Sequence, residues 1–318
     1  MSHQAGIPTV DLRLFTHGTH EEKKQFVEEL GRAYEEIGFV AVKNHLIEDK
    51  TTEELYKQVK RFFDLPEDVK KKYEIIELAG QRGYTSFGRE RAKGSSAHDL
   101  KEFWHFGQEV TDGDPIKSEY PDNIDVSELP EFNTIGLRAY NDLENTGRYM
   151  LCAIALFLGL DEFYFDNKIH NGNSILRPIH YPPITSEPAS SVRAGQHEDI
   201  NLITLLIGAS AEGLQVLNKQ GEWVSVTALP ESIVVNVGDM LQRHTNNRLK
   251  STTHRVVNPP REKWGTSRYS IPFFLHPRSD MRLDCLPGCI APGHQPGYEP
   301  ITAGEYLNER LIEIGLKK

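Results

Sequence analysis

Two histidines and one aspartate in the second half of the chain have the types and spacing of metal ligands. His197 and Asp199 are two residues apart, and His254 follows in a later segment. If the first segment is a β-strand, its alternate side chains share a face, so His197 and Asp199 point together and Glu198 points away. A strand returning across a barrel would bring His254 to them. Two imidazoles and one carboxylate on one face of a metal leave coordination positions open, as in non-haem Fe(II) oxygenases.

A second polar pair lies further along the chain. Arg268 and Ser270 are two residues apart in a strand-like segment and would share a face. A guanidinium and a hydroxyl inside a barrel are costly to bury unless they meet an anion, and a carboxylate is the natural bidentate partner. The spacing therefore suits a short dicarboxylate that chelates the metal at one end and contacts Arg268 at the other.

Short β-like runs separated by turn residues are predicted throughout the part of the chain that carries these residues. They recur at spacings typical of all-β sandwiches and barrels. The predicted runs cover residues 175–181, 201–207, 213–217, 232–237, 251–257 and 267–275. A jelly roll or a similar double-sheet barrel is therefore the predicted architecture.

The residues before position 173 predict a mainly helical region. Apolar residues recur at helical spacing from Glu21, and Gly38 lies where such a helix would end. A strand is predicted next, over residues 39–42. Thr51 followed by Glu54 forms a capping-box pattern, which predicts the start of a second helix.

The rest of the flanking sequence adds two helices and one irregular region. The apolar pattern over residues 130–159 predicts a long, buried scaffold helix. Residues 75–127 are predicted to be irregular, and the lysines at 70–72 are predicted to lie on a solvated face. A capping box that begins at Thr302 predicts a C-terminal helix.

Composition limits the classes of partner. The 318 residues include 36 Lys and Arg and 46 Asp and Glu, which gives a net charge of -10 at pH 7. This acidic field repels nucleic-acid phosphates and anionic lipids, so we expect neither nucleic acid nor a membrane as a partner. The hydrophobic fraction of 38% is enough for a sizeable core.

The cysteines indicate a reducing compartment. Cys152, Cys285 and Cys289 give no even-numbered disulfide framework, and the N-terminal residues lack a secretion-signal pattern. Both features predict a cytoplasmic protein with free thiols.

The longest apolar run, over residues 149–160, is shorter than the roughly 20 residues of a membrane-spanning helix. We expect a monomer or a weak homodimer without a transmembrane segment.

The motifs of the chain, taken together, resemble those of the isopenicillin N synthase-like family of Fe(II)/2-oxoglutarate-dependent dioxygenases. The matching segments are residues 7–12, 38–45, 62–66, 83–84, 99–103, 181–183, 197–199, 202–206, 213–216, 236–239, 254–256 and 268–270. Leu46 replaces the usual glycine of the family, and Ile179 stands where many plant members keep an asparagine.

The resemblance implies a fold that is mainly β with flanking helices. Residues 173–277 would form a double-stranded β-helix core, which is a jelly-roll barrel. Residues 1–172 would form an N-terminal helical region that packs on the barrel, and residues 278–318 a C-terminal extension with a helix. The three parts are expected to form one structural unit.

The resemblance also implies a role for each site residue. The residues expected to bind Fe(II) are His197, Asp199 and His254. The residues expected to bind 2-oxoglutarate as cosubstrate are Arg268, Ser270 and Tyr181. With O2, such an enzyme oxidises a C–H bond of a small-molecule metabolite, by hydroxylation, desaturation or ring closure, and releases succinate and CO2. Ascorbate is a candidate reductant.

For the substrate, the resemblance places residues of the N-terminal region and of the C-terminal segment over the barrel mouth. The predicted substrate-binding residues are Arg82, Tyr84, Phe103, His105, Arg193, His244, Phe274 and His276. Arg82 is a candidate to hold a substrate carboxylate, and a surface arginine is the alternative interpretation. A small carboxylate-bearing metabolite, such as an amino-acid derivative, is the predicted kind of substrate.

Two other functions remain open at this point. Isopenicillin N synthase carries the same Arg-x-Ser pair without using 2-oxoglutarate, and the dipeptide His197-Glu198 resembles its sequence. An oxidase that uses O2 and substrate electrons alone is therefore one alternative. Zinc also accepts two histidines and a carboxylate, so a zinc hydrolase or a non-catalytic binding barrel is another.

Overall fold

The computed structural model describes residues 6–78, 80–89, 100–185, 187, 192–207, 213–226, 229 and 231–313. Its strands are β1 (Thr9–Asp11), β2 (Phe39–Lys43), β3 (Gly83–Thr85), β4 (Glu102–Gly107), β5 (Ile175–Leu176), β6 (Ile179–Tyr181), β7 (Ala194–His197), β8 (Ile203–Ile207), β9 (Leu214–Leu217), β10 (Trp223–Ser225), β11 (Ser232–Val237), β12 (His254–Val256) and β13 (Arg268–Leu275). Its α-helices are α1 (Leu12–Thr16), α2 (His20–Glu36), α3 (Asp49–Phe63), α4 (Glu67–Lys71), α5 (Pro130–Phe157), α6 (Asp166–Ile169), α7 (Asp239–His244) and α8 (Ala303–Glu313).

Two β-sheets form the jelly-roll barrel. The larger sheet has the strand order β1-β2-β11-β8-β13-β5-β4-β3, and β6 pairs with both β13 and β4. The smaller sheet has the order β10-β9-β12-β7. The chain passes from the smaller sheet to the larger one three times, between β7 and β8, between β10 and β11, and between β12 and β13. These crossings bring polar residues of both sheets to the space between them.

Helix α5 is the predicted scaffold helix, and it packs on the larger sheet. At Gly147 an added Cβ would lie 2.4 Å from Cδ1 of Leu275 in β13, so a larger residue would push the helix off the barrel. On its other side, Phe132 of α5 stacks on Phe62 of α3 with ring centroids 4.9 Å apart. Within the described residues, none of the helices has both the length and the apolar character needed to cross a bilayer.

The ends of two N-terminal helices depart in part from their sequence patterns. Helix α2 is capped by a box of Thr19 and Glu22, and Gly38 follows its end with φ +73°, as its position in the sequence predicts. The predicted cap at Thr51 is wrong. Helix α3 begins two residues earlier, after Glu48, because Thr51 is buried inside the helix and cannot cap it.

The region predicted to be irregular, residues 75–127, contains two strands, β3 and β4. All six residues of β4 are buried, so this strand lacks the apolar and polar alternation that marks a half-exposed strand. The aromatic side chains of β4 pack on both faces of the strand. The ring centroids of Trp104 and Phe62 lie 4.9 Å apart. The N-terminal part of the chain therefore extends the large sheet of the barrel.

Lys70 was predicted to lie on a solvated face, but it is buried. Its ammonium lies in the interior and donates to both carboxylate oxygens of Glu102, at 2.8 and 3.1 Å. The same carboxylate accepts from the Tyr84 hydroxyl and contacts Nδ1 of His180 at 2.7 Å. Because both members of the ion pair are buried, with side-chain exposures of 10% and 7%, neither can be screened by water if the other is lost.

We expect Glu102→Gln to lower the free energy of unfolding by about 3–5 kcal/mol, because it leaves the buried Lys70 charge without its counter-ion. Glu67→Gln is the matched control, since Glu67 pairs with Lys71 at the protein surface and should cost no more than about 1 kcal/mol. Urea unfolding followed by circular dichroism measures both changes. Equal midpoints for the two variants would contradict the expectation.

Candidate active site

His197, Asp199 and His254 meet inside the barrel. His197 ends β7 and pairs directly with His254, which begins β12. Asp199 lies just beyond the strand instead of within it, and its Oδ1 is 3.6 Å from His197 Nε2 and 3.5 Å from His254 Nε2. Ligand atoms each about 2.1 Å from one metal lie roughly 3 Å apart, so the spacing fits a single ion.

Backbone carbonyls determine which nitrogen of each histidine faces the site. His197 Nδ1 lies 2.7 Å from the carbonyl oxygen of Gly195, and His254 Nδ1 lies 3.0 Å from that of Thr252. A nitrogen facing a carbonyl must carry the proton, so Nε2 of each ring keeps its lone pair. This is the tautomer that a metal ligand requires.

Asp199 uses its two oxygens differently. Oδ2 accepts hydrogen bonds from Thr204 Oγ1 at 2.6 Å and from Asn236 Nδ2 at 2.8 Å, whereas Oδ1 faces the histidines. These bonds fix the carboxylate plane and leave one oxygen for a metal, as partners of metal ligands do. Asn236, which belongs to the matching segment 236–239, thus orients a predicted ligand through its side-chain amide.

Burial and neighbouring charges act on the protonation of the three groups. Burial lowers the pKa of His197 to about 4, and the nearby His254 acts in the same direction. Burial opposes ionisation of Asp199, but His254, His197 and the hydrogen bond from Asn236 together outweigh it, and the pKa of the carboxyl is lowered. Burial lowers the pKa of His254, but the Asp199 carboxylate, the Thr252 carbonyl and the charge of Glu198 together outweigh it, and the pKa is raised. The carboxylate is thus ionised at neutral pH and attracts a cation.

Arg268 and Ser270 lie on the larger sheet and face the same cavity as the histidines of the smaller sheet. Arg268 is 9% exposed, and its Nε and Nη1 have no hydrogen-bond partner among the described residues. Tyr181 pairs directly with Arg268 between β6 and β13, and its ring lies 4.9 Å from the guanidinium. A buried guanidinium of this kind requires an anion, and its planar fork matches a carboxylate.

Alternate side chains of strand β6 point to opposite sides of the sheet. Ile179 and Tyr181 line the cavity, whereas His180 points away and contacts Glu102 and the Ser267 hydroxyl. His180 also stacks on Tyr269, which lies between Arg268 and Ser270 on the outer side of β13. The Glu102 cluster therefore packs behind the two strands that carry Arg268 and Tyr181.

Two cations that sequence reasoning missed also line this cavity. They are Lys101, directly before β4, and Arg177, between β5 and β6. Lys101 lies within the matching segment 99–103, and Arg177 lies within the predicted β run 175–181. Neither belongs to a pattern of paired functional residues, so the sequence gives no sign that they line the cavity.

Three predicted substrate residues lie around Arg177. Its guanidinium is 4.5 Å from the Phe103 ring and 5.1 Å from the Phe274 ring, and its Nε donates to Nε2 of His105 at 2.5 Å. Phe274 itself lines the cavity. His276, the fourth predicted substrate residue in this area, is buried, which lowers its pKa. The positive charge of the nearby Arg177 lowers the pKa further, to about 4.

The other predicted substrate residues lie elsewhere. Arg193 is buried, lies 5.8 Å from the Tyr181 ring and donates to the Thr266 carbonyl. Tyr84 donates to Glu102 in the buried cluster. Neither is among the described residues that line the cavity of the three metal-ligand candidates.

Arg82 and His244 have structural surroundings of their own. Arg82 is fully buried beneath Gly107 and donates to Gln108 Oε1 at 2.7 Å, which excludes a surface arginine. His244 lies in a separate cleft, where its ring contacts the Tyr164 hydroxyl at 3.0 Å. In the described part of the chain, neither residue reaches the cavity of the three metal-ligand candidates.

Comparisons with known proteins point to the same chemistry. Residues 172–277 match the 2OG-Fe(II) oxygenase superfamily, and residues 7–128 match the N-terminal part of a non-haem dioxygenase in morphine synthesis. The 2-oxoglutarate-Fe(II) type oxidoreductase hxnY of Emericella nidulans is 31% identical over 312 residues, which cover 94% of this chain and 88% of that protein.

Two solved structures share the fold over nearly the whole chain. A 2OG-Fe(II) oxygenase family protein of Caulobacter crescentus has a TM-score of 0.87 at 41% identity, covering 97% of this chain and 99% of its own. A full-length Neurospora crassa protein, solved in complex with alpha-KG, has a TM-score of 0.86 at 31% identity and 98% coverage of both chains.

The barrel and its two-histidine, one-carboxylate site define a non-haem Fe(II) dioxygenase. The chain belongs to the 2OG-Fe(II) oxygenase superfamily and fits its isopenicillin N synthase-like class. The predicted family, fold, enzyme class and cofactors are thereby confirmed. The enzyme is a 2-oxoglutarate-dependent dioxygenase that uses Fe(II), 2-oxoglutarate and O2.

Proposed function

We propose that His197, Asp199 and His254 hold the Fe(II) of this enzyme, and that Arg268 and Ser270 hold the distal carboxylate of 2-oxoglutarate. The observation that carries the second assignment is the buried guanidinium of Arg268, whose Nε and Nη1 lack partners among the described residues. A carboxylate bound bidentately in either fork of the guanidinium, Nε with Nη2 or Nη1 with Nη2, would give one of these nitrogens its missing acceptor. The Ser270 hydroxyl on the same face of β13 adds a further donor to that carboxylate.

The metal assignment is supported by the donor set of the site. Two imidazoles that present Nε2 and an ionised carboxylate suit Fe(II), and their arrangement on one face leaves positions for 2-oxoglutarate and O2. Bound Fe(II) supplies O2 activation, so that oxidative decarboxylation of 2-oxoglutarate to succinate and CO2 is coupled to oxidation of a substrate C–H bond. In a hydroxylation, one oxygen atom of O2 enters succinate and the other enters the product.

The protein's own contribution is to bind, orient and exclude water. Thr204 and Asn236 hold Asp199 in one orientation, and the carbonyls of Gly195 and Thr252 hold the two rings. We assign Tyr181, beside Arg268, a hydrogen bond to the cosubstrate. We propose a small-molecule metabolite as the substrate. The apolar walls of the cavity, which include Leu206 and Phe274, would position it over the metal.

Succinate release tests this proposal. The purified protein is loaded anaerobically with Fe(II) and titrated with 2-oxoglutarate, which should give a weak visible absorption band that chelation by the keto acid produces. On exposure to O2, succinate should form only when both Fe(II) and 2-oxoglutarate are present. O2 consumption that needs a substrate but no 2-oxoglutarate would instead identify an oxidase of the isopenicillin N synthase kind.

We further propose that the enzyme acts in the cytoplasm as a monomer or weak homodimer, with no nucleic-acid or membrane partner. The three cysteines are free thiols, which suits a reducing compartment, and the net charge of -10 disfavours anionic surfaces. We also propose that residues 1–172, 173–277 and 278–318 fold as one unit. The participation of β1 to β4 in the large sheet supports this.

A further inference from the structure

We infer that Tyr306 of the C-terminal helix α8 is a positioning residue of the metal site, which acts through Asp239 on the turn that carries Asp199. The inference rests on the proposed function, because it takes Asp199 as a ligand of Fe(II). It goes beyond that function by giving the C-terminal extension a part in metal binding, although helix α8 belongs to neither sheet of the barrel.

The turn after β7 is held at its backbone by the start of helix α7. Three consecutive amides, those of residues 238–240, donate to carbonyls of residues 199–202 at 2.9 to 3.1 Å. Among them, the amide of Asp239 donates directly to the Asp199 carbonyl, at 2.9 Å. The first amides of a helix have no acceptor within the helix, so these groups are available to hold the turn.

Helix α7 lies so close to this turn that the contact requires a glycine. A Cβ added to Gly238 would lie 2.1 Å from Oδ1 and 2.4 Å from the carbonyl oxygen of Asn201. Because the two segments are in close van der Waals contact, a displacement of the helix start moves the turn with it. The position of Asp199 therefore depends on the contacts that fix the start of α7.

The C-terminal helix supplies one of these contacts. The Tyr306 hydroxyl donates to Oδ2 of Asp239 at 2.8 Å, whereas Oδ1 has no partner among the described residues. In the described part of the chain, this hydroxyl is therefore the one hydrogen-bond donor to the Asp239 carboxylate. A helix of six residues such as α7 has little stability of its own, so tertiary contacts of this kind determine where its ends lie.

The ring of Tyr306 is itself held by two arginines. The guanidinium carbon of Arg243 in α7 lies 5.5 Å from the ring centroid, and that of Arg310 in α8 lies 5.1 Å from it. Arg243 also donates to the Glu299 carbonyl, which connects α7 to the chain before α8. These contacts reduce the rotamer freedom of the ring, so its hydroxyl meets Asp239 in one position.

Tyr306→Phe removes the hydroxyl and keeps the ring. The Asp239 carboxylate, whose Oδ1 is already buried without a partner, then loses its donor. It can regain one only by turning toward water, which shifts the amide that holds Asp199. Loss of a direct partner of a metal ligand costs about 10- to 100-fold in metal affinity, and Tyr306 acts through one further residue, so we expect Fe(II) to bind about 3- to 10-fold more weakly.

The test uses the full-length protein, titrated anaerobically with Fe(II) at saturating 2-oxoglutarate. The visible band of the loaded protein gives the Fe(II) affinity, and the rate at which a chelator removes the metal gives a second measure. The KM for 2-oxoglutarate at saturating Fe(II) should stay unchanged, because Arg268 and Ser270 are untouched. A role of Tyr306 in stability alone would lower the melting temperature and leave the Fe(II) affinity of the folded protein as it was.

Tyr298→Phe is the matched control. It removes a tyrosine hydroxyl from the chain just before α8, but that hydroxyl donates to Oδ1 of Asn247, at 2.6 Å, beyond the end of α7. Its Fe(II) affinity should equal that of the wild type. A double-mutant cycle then tests the route of the effect. In an Asp239→Ala background, Tyr306→Phe should have no further effect, since the carboxylate that the hydroxyl binds is gone.

The outcomes separate this inference from the proposed function. If the wild-type protein binds no Fe(II), or shows no band with 2-oxoglutarate, the proposed function fails. If the wild type binds both, the inference alone is wrong when Tyr306→Phe keeps the wild-type Fe(II) affinity or weakens it equally in the Asp239→Ala background.

Hydrogen exchange decides the case in which Tyr306→Phe melts at a much lower temperature. The amides of residues 238–240 donate to the metal-binding turn, so they report directly on this contact. Measured in the folded proteins well below their melting temperatures, they should exchange faster in Tyr306→Phe than in Tyr298→Phe. Equal exchange in the two variants would overturn the inference.

Discussion

Asp199→Ala is expected to abolish Fe(II)-dependent succinate formation, with a loss of at least about 100-fold. The loss should exceed the 10- to 100-fold that removal of a partner behind a metal ligand costs, because the ligand itself is gone. Asp199 is also the single carboxylate among the described side chains that line the cavity. Without it, two neutral imidazoles remain beside a cluster of cations, and the site loses its attraction for a metal cation. Iron content after anaerobic loading and succinate release measure the two effects.

Glu198→Ala provides the control within the same tripeptide. Glu198 is exposed and accepts a hydrogen bond from Thr253 on the outside of the smaller sheet. Its removal takes away the same charge one residue from the site, yet metal content and turnover should stay near those of the wild type. If Asp199→Ala kept full succinate production, or if both variants lost iron equally, the assignment of Asp199 as a ligand would be wrong.

The candidate metal ligands and cosubstrate-binding residues could be predicted because most of them lie close together in short segments of the sequence. His197 and Asp199 are two residues apart, and Arg268 and Ser270 are likewise two apart, so each pair needs only local geometry to share a cavity. The detailed geometry still differs from the prediction. Asp199 lies past the end of β7, in the turn toward β8, and it reaches the histidines because Thr204 and Asn236 hold it there.

The residues around the substrate position could not be predicted in the same way. Arg177 lines the cavity because β5, β6 and β13 pair at that point, and a contact between distant strands leaves no local pattern in one sequence. Arg82 shows the opposite case. Its neighbours in the sequence suggest a functional position, but its side chain is buried against Gly107 at the end of β4 and donates to Gln108.

The fold was predictable where apolar spacing is regular, and less so where both faces of an element are buried. The long helix α5 and the barrel strands β8, β11 and β13 carry clear patterns. Strand β4 does not, because helices and strands cover both of its faces and every side chain is apolar or buried in a pair. Lys70 was misassigned for a related reason, since its partner Glu102 is brought to it only by the tertiary fold.

Arg268→Gln is the second change with a large expected effect, and it acts on the cosubstrate instead of the metal. The variant loses a charged bidentate contact to a carboxylate, which costs about 2–5 kcal/mol and corresponds to a rise of roughly 30-fold or more in the KM for 2-oxoglutarate. Iron content should not change, because Asp199 and both histidines are untouched. High concentrations of 2-oxoglutarate should restore much of the turnover, which distinguishes this variant from Asp199→Ala.

Arg255→Gln is the matched control for this change, because Arg255 lies on the neighbouring sheet and points the other way. Its Nε donates to Gln215 and its guanidinium packs on Trp223 at 3.9 Å, outside the cavity. Anaerobic titration of the visible band gives the 2-oxoglutarate affinity of both variants directly. An unchanged affinity in Arg268→Gln would mean that the buried guanidinium serves another anion. The cosubstrate would then have to be anchored by Tyr181 and Ser270 without it, although neither side chain carries a positive charge to balance the distal carboxylate.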